Sequence, residues 1–370
     1  SLPNVSFAQK DTSLIEQEVI NDFEKIIGRK IYDSDPLRLL LFTFIKYISL
    51  QRSLIDFTGK QNLLKYSRDD YLENLGALLG VYRLGASKAI TTLKFTLSNS
   101  LNSNFTIPKG TRVTAGDNIY FATNEDVEII KDKNSCIIDA TCLSEGKIGN
   151  GYYIGQINTL VDPFPYNSTV ENITVSQGGS DVEDDESLRE RIRLAPESFS
   201  TAGPYGAYVF WAKSANSNII DVSVSSPNPG EVLIVPLLED GEVPADTLLE
   251  QIYNTCNDEK RRPLTDMVII EPPQIVNFDI KLKYYISKSN SSMGVTIQNN
   301  VIKAVNEYIH WQKTKLGRDI IPSKLIELLM QAGVKRVEIE SPKFTILKFN
   351  EIGITNFNNA VIEYGGIEND

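Results

Sequence analysis

From Pro36 the sequence runs PLRLLLFTFIKYISLQRSLIDFTGKQ, and on a helical wheel it leaves almost no polar side. Asp33-Ser34-Asp35 supply capping side chains and Pro36 suits a first helical turn, so a helix is predicted to start here. Running to about Tyr66, it would measure roughly 45 Å. Leu37, Leu41, Phe44, Ile48 and Ile55 fall on one face, Leu39, Phe42, Leu50 and Phe57 on another; Arg38, Ser49, Arg52 and Asp56 form the one polar stripe. A helix apolar nearly all round has to be covered on most sides. The surrounding sequence offers a second long helix, where Leu14, Ile15, Val19, Ile20, Phe23, Ile26 and Ile27 recur at helical spacing between Asp11 and Gly28, and a shorter one at Asp69–Gly80. Two arrangements stay open: a compact three-helix bundle within the chain, or a bundle completed by helices of other chains. The shortage of local partners favours the second and makes Leu37, Leu41, Phe42, Phe44, Ile48 and Ile55 the candidate assembly surface. Residues 1–10 read as a loose arm.

At Thr91 the hydrophobic period changes to two. Thr92–Leu97, Phe105–Ile107, Ile119–Thr123, Val127–Ile130 and Cys136–Cys142 alternate, with turn residues between them, and the pattern closes near Ile173-Thr174-Val175. This predicts a small antiparallel β domain over 91–178. Beyond it, strands and helices alternate: strand Ile219–Ser226, turn Pro227–Gly230, strand Glu231–Leu238, helix Pro244–Lys260 and strand Asp266–Glu271. A second such unit has strand Ile275–Ile286, helices Ser291–Trp311 and Ile321–Ala332, and strand Val334–Glu340. The fold class is therefore multidomain α+β: a helical segment 1–90, the β domain 91–178, α+β units at 179–273 and 274–343, and C-terminal strands 344–370.

Val182–Ser214, VEDDESLRERIRLAPESFSTAGPYGAYVFWAKS, is the stretch densest in charge. Asp181, Glu183, Asp184, Asp185 and Glu186 precede Leu188, where a helix macrodipole favours acids by about 0.3–1 kcal/mol each. Asp185–Arg189 and Glu186–Arg189 stand at ion-pair spacing along the same helix. The acids could ligate a divalent cation, but the mid-loop glycine and the downstream glutamate of an EF-hand are missing. They are read as a helix start. Pro196 stops that helix and Gly203-Pro204 opens the next, so the stretch is a structural joint.

The net charge of −11 argues against a general nucleic-acid binder, and Lys260-Arg261-Arg262, flanked by acids, reads as a solvated helix end. Cys136, Cys142 and Cys256 are too few for a disulfide framework and suggest a reducing cytoplasm; the first two could share one sheet face. His310 is the sole histidine, which excludes most histidine-based catalysis and metal binding. Gly149-Asn150-Gly151 and Gly155 lack the strand, helix and Lys-Ser/Thr of a phosphate loop and read as turns. Ser198–Thr201 lacks a nucleophile elbow. The apolar run Leu39–Leu50 is shorter than the roughly 20 residues of a membrane span, and the opening residues have no signal-peptide pattern, so a soluble protein is expected. No catalytic residue, metal or cofactor is called for.

The order of several short motifs is more specific. Gly178-Gly179-Ser180-Asp181, Glu186–Arg193 with Arg189 and Arg191, Ala195-Pro196-Glu197, Ala202–Tyr208 with Gly203 and Gly206, Pro229-Gly230-Glu231-Val232 and Arg262-Pro263-Leu264-Thr265-Asp266 together resemble the baseplate J-like proteins. Ile107–Thr111, Gly317–Ile321 and Gly365-Gly366-Ile367 extend the likeness from about Thr91 to the end. The resemblance implies a wedge component of a contractile phage tail or a related tail-like particle, assembled in the bacterial cytoplasm. It implies a second copy of the chain, a smaller wedge protein and other baseplate and sheath-initiator subunits as partners, with no nucleic acid or membrane insertion. It also implies that the motif residues Gly178, Gly179, Asp181, Arg189, Arg191, Pro196, Gly203, Gly206, Pro229, Gly230, Pro263 and Asp266 define the fold. A carboxylate-dependent glycan hydrolase or an adhesin of a tail particle are the alternatives, since 48 acids leave many pairs available.

Overall fold

A computed structural model describes residues 2–166, 168–199, 203–258, 261–263 and 265–369. Expectations resting on Ser200, Thr201, Ala202, Lys260 and Leu264 lie outside the described residues. The chain resolves into two compact units: residues up to Arg83 with Asp184–Arg193, and Leu84–Glu183 with the chain from Leu194 onward. Among the described residues, no helix is long and apolar enough to cross a membrane.

The first unit is helical. Helix α1 (Thr12–Ile27) starts where Asp11 accepts the Ser13 N–H at 2.9 Å and ends on a left-handed Gly28. Helix α2 (Pro36–Gln61) is capped by Asp35, which accepts from Leu37, with Pro36 in the first turn. The two pack through Ile15, Ile31, Leu41 and Ile45, with Val19, Ile20, Phe23, Ile27, Leu37 and Ile48 around them. α2 stops short of Tyr66, because the amides of Asn62, Leu63 and Tyr66 fold back in tight turns onto the carbonyls of Gly59, Lys60 and Leu63. Helix α3 (Asp69–Ala77) follows, and α4 (Asp185–Leu194) joins this unit through Asp184–Arg193. Ile192 reaches Gly76 of α3 closely enough that a Cβ there would stand 3.0 Å from it.

The opening arm is tied down rather than loose. The Phe7 N–H donates to Asp56 at 2.9 Å and the Lys10 ammonium sits 2.7 Å from the same carboxylate. Val5 donates to the Tyr66 hydroxyl at 3.0 Å. The arm thus covers the inner side of α2 beyond the reach of α1. Asp56, placed on the wheel's polar stripe, is 2% exposed; its partners, rather than water, satisfy it.

In the second unit, strands β1 (Lys88–Leu97), β2 (Phe105–Ile107), β3 (Arg112–Thr114), β4 (Tyr120–Thr123), β5 (Val127–Ile129), β6 (Ser135–Glu145), β7 (Thr159–Leu160) and β8 (Ser168–Asn172) build the β domain. Six of them, among the described residues, form one sheet in the order β7-β3-β4-β6-β1-β8, antiparallel throughout, and β2 pairs with β5. The outer strands β7 and β8 approach each other, so the sheet curls into a nearly closed barrel. Every second residue of β1, from Ala89 to Leu97, points inward to join Phe121, Ile138 and Val170. Cys136 and Cys142 share that inner face of β6, and burial pushes the Cys136 thiol up to about 11. Gly151 and Gly155 are left-handed turn residues, as read from the sequence.

Helix α5 (Tyr205–Lys213) leads into β9 (Ile219–Ser225), β10 (Glu231–Leu238), α6 (Asp246–Cys256) and β11 (Met267–Ile270). The sheet runs β11-β10-β9, with β10 parallel to β11 and antiparallel to β9. β10 is covered on both faces: Ile234 and Leu238 meet α5 and α6, while Leu233, Val235 and Leu237 meet Leu316 and Ile352. That two-sided burial suits its unbroken apolar run. Pro236 is tolerated because its missing N–H faces the side where β11 has ended; Ile234 there accepts the last bond, from Glu271.

The single strand expected over Ile275–Ile286 is two. β12 (Gln274–Asn277) pairs with β15 (Glu351–Ile354), whereas β13 (Lys281–Ser287) lies between β14 (Arg336–Ser341) and β16 (Val361–Glu368). The alternation continues across Phe278–Ile280, so the sequence carries no mark of the change of sheet. Both strands of the tail are thereby built into sheets begun much earlier in the chain, parallel to β12 and β13. Helices α7 (Gly294–Lys313) and α8 (Pro322–Gln331) cover β13 through Val301, Val305, Tyr308, Leu325 and Leu329.

Lys10, Lys60 and the Phe7 N–H hold the Asp56 carboxyl well below its ordinary value of 3.8. With the folded-state value depressed, the hold on the arm is complete above the ordinary value and is lost progressively as pH falls from there towards the depressed one. Cleavage within residues 2–10 by an acid-active protease is expected to accelerate below about pH 4. In Asp56→Asn it should be fast at every pH; a pH profile identical to the parent's would contradict this.

Candidate assembly joints and outer helix face

The charged stretch does its work within the first unit. Asp184 accepts the Ser187 N–H at 2.8 Å and caps α4, as the sequence suggested. The arginines act at longer range. Arg189 donates to the carbonyls of Leu64 at 2.8 Å and Ser67 at 2.7 Å, and pairs with Glu186. Arg191, buried, donates to the Tyr82 carbonyl at 2.5 Å. Asp185 accepts the Asp69 N–H and faces Arg83 at 2.6 Å, which also holds Glu73. The Asp69 amide first, and then Arg83, keep the Asp185 carboxyl below the usual range. Asp185, expected at i,i+4 to Arg189, pairs with Arg83 instead, while Glu186 pairs with Arg189 at i,i+3 as expected. Among the described residues, no cluster of three or more His, Cys, Asp or Glu could hold a metal ion.

A second joint lies at the end of the barrel. Gly178 has φ +89°, which strains any residue carrying a Cβ, and a Cβ on Gly179 would stand 2.4 Å from the Gly146 carbonyl, so that position admits no side chain without movement. The Asn150 side chain grips Gly179 from both sides, donating to its carbonyl at 2.8 Å and accepting its N–H at 2.9 Å. Asn216 donates to the Gly178 carbonyl at 3.1 Å, Asn218 to that of Gly179 at 2.7 Å, and Ser217 to that of Asp181 at 3.0 Å. Gln177 bridges Val243 and Ala245, and Lys147 pairs with Glu239. The loop before β9 therefore clamps the barrel's closing segment by its backbone.

The remaining motif residues converge on the start of β11. A Cβ on Gly203, whose φ is +65°, would meet Asp266 and Pro263 at 2.8 Å. The Tyr208 hydroxyl donates to Asp266 at 2.7 Å, Arg262 donates to the Asp266 carbonyl at 3.0 Å, and Met267 donates to Gly230 at 2.7 Å. Gly206 lies against the Glu197 side chain. Asn150 reads in sequence only as part of a turn, and Asn216 and Asn218 do not stand out at all; asparagine in turn-rich sequence carries no signal of which carbonyl it will take.

The candidate surface on α2 divides. Leu41 is 5% exposed, and Leu37 and Ile48 pack with it against α1. Phe44, at 54%, and Phe42 and Ile55 face outward, together with Leu39, Leu40, Tyr47, Leu50 and Leu54. Arg38 lies over the Phe42 ring at 5.2 Å. The face read as Leu37, Leu41, Phe44, Ile48 and Ile55 is split: the inner seam runs 37, 41, 45, 48, with Ile45 in place of Phe44. His310 is exposed at the end of α7, its Nδ1 3.9 Å from Asp240.

These features are those of a multidomain α+β protein whose distinctive residues join segments of chain. Models of three Baseplate J-like domains match in order: the barrel domain over 92–179, the central domain over 200–272 and the C-terminal domain over 276–362. The chain belongs to the Baseplate J-like family. It is 34% identical over 184 residues to baseplate protein J of Escherichia phage P2, covering 48% of this chain and 60% of that protein's length. A chain in the six-fold symmetrised baseplate of the anti-feeding prophage aligns over 93% of this chain and 89% of its own, with 13% identity and a TM-score of 0.38.

Removing Arg189 leaves two carbonyls without their donor, so Arg189→Ala is expected to cost the first unit about 1–3 kcal/mol. Arg189→Lys should rescue little, because a point charge does not span two acceptors. Asp184→Asn, which keeps a capping oxygen, should stay within about 0.5 kcal/mol. Denaturant unfolding, with hydrogen exchange over residues 62–83, measures all three.

Proposed function

We propose that this chain is a structural subunit of a contractile-tail baseplate, with no catalytic role. The observation that carries this reading is the unbroken order of barrel, central and C-terminal Baseplate J-like domains across residues 92–362, to which the likeness to a phage baseplate protein adds support. Side chains that might have done chemistry are used on backbone instead: Arg189, Arg191, Asn150, Asn216 and Asn218 all bind carbonyls.

In this reading the subunit lies in the wedge, beside a second copy of itself and a smaller wedge protein, in a ring that surrounds the central hub and leads to the sheath. The outer face of α2 meets helices of neighbouring chains there. Leu39, Leu40, Phe44, Tyr47, Leu50 and Leu54 leave an apolar stripe along that helix interrupted chiefly by Thr43 and Gln51, a larger outward patch than a helix facing only water would carry. Assembly would take place in the bacterial cytoplasm before the tail is complete.

Two substitutions separate folding from assembly. Leu41→Asp buries an unpaired charge in the α1–α2 core and should cost several kcal/mol, on the order of 3 or more. Phe44→Asp adds a charge to an exposed site and should change the stability of the isolated chain by less than about 0.5 kcal/mol, yet prevent its incorporation into particles. Electron microscopy of particles from the native host decides the main point. Deletion of the chain should abolish assembled baseplates; intact baseplates without it would refute the reading.

A further inference from the structure

The end of α2 that holds the arm is more selective than a cover requires. Residues 2–10 adopt no regular structure, and Leu2, Val5 and Phe7 stay exposed. Their hold comes from groups that read an extended backbone. Asp56 accepts the Phe7 N–H and the Lys10 ammonium, the Tyr66 hydroxyl accepts the Val5 N–H, and the Lys65 ammonium donates to the Leu2 carbonyl at 2.7 Å and the Asn4 side chain at 2.9 Å. The Phe7 ring crosses Gly59, where a Cβ would come within 2.6 Å of it. Without the arm, the Asp56 carboxylate keeps Lys60 and loses the Phe7 N–H and the Lys10 ammonium.

We propose that the Asp56–Tyr66 end of α2 is a docking site for an extended peptide, and that in the assembled particle it takes residues 2–10 of a second copy of this chain. The occupant follows from complementarity: the sequence whose ring, amides and ammonium fit the site is this chain's own. Exchange between copies replaces the contacts of Leu2, Asn4, Val5 and Phe7 with identical ones, so its cost is that of opening the turn at Gln9–Asp11, where the Gln9 side chain accepts from Lys10 and Asp11, and with it the Lys10–Asp56 pair. Little apolar area has to be exposed for the arm to leave. Adjacent copies present arm and site at high effective concentration. The proposal rests on the reading of the chain as a baseplate subunit present in more than one copy.

The test uses two full-length, differently tagged chains co-expressed in the native particle, one carrying Phe7→benzoylphenylalanine as a photo-cross-linker. Exchange predicts cross-links from its position 7 onto residues 56–66 of the other tagged chain, and their yield should fall about tenfold when that chain carries Asp56→Ala. Cross-links that stay within one chain, in particles containing both, overturn the exchange and leave the baseplate reading standing. Absence of the unmodified chain from purified particles overturns both.

Discussion

Backbone carbonyls left over by the end of α2 shape the first unit. The chain leaves that helix in tight turns, and the carbonyls of Leu64 and Ser67 there, like that of Tyr82 beyond α3, take donors from Arg189 and Arg191, the first of them 125 residues further along. A guanidinium is suited to this, since its fixed fork reaches two acceptors at once and stays charged. The consequence is topological. The chain passes between its two compact units at Arg83–Leu84, at Glu183–Asp184 and again at Arg193–Leu194, because α4 has to return to where those carbonyls are.

The second unit follows the same logic with neutral donors. Gly178 and Gly179 bring the backbone close enough for the amides of Asn150, Asn216 and Asn218 to take its carbonyls, and the Gly203–Pro263–Asp266 contact does likewise at the start of β11. Both joints are of low sequence complexity and high geometric demand. They leave the outward apolar side chains of α2 as a feature that contacts within the chain do not account for.

Much of the element order was legible because it is written in local terms. Asp11 and Gly28 bound α1, Asp35-Pro36 opens α2, and the period of two from Thr92 marks the barrel strands. What was misplaced shares one cause, a dependence on distant chain. Ile275–Ile286 alternates without interruption although its halves join different sheets. Residues 2–10 read as loose because their partners, Asp56, Lys65 and Tyr66, lie in α2 and just after it. Asp185 reads in sequence as the partner of Arg189 on its own helix, whereas its ion pair is with Arg83, 102 residues away in the chain.

By itself, the sequence determined the α+β class, the helix caps, the turn glycines and the family to which the motif order belongs, since each depends on residues near one another in the chain. Only the tertiary structure decided which side of α2 is interior and which carbonyls the arginines take. A helix apolar all round has no preferred face until α1 and the arm choose one, and an arginine records its charge in sequence but never the acceptor it will reach.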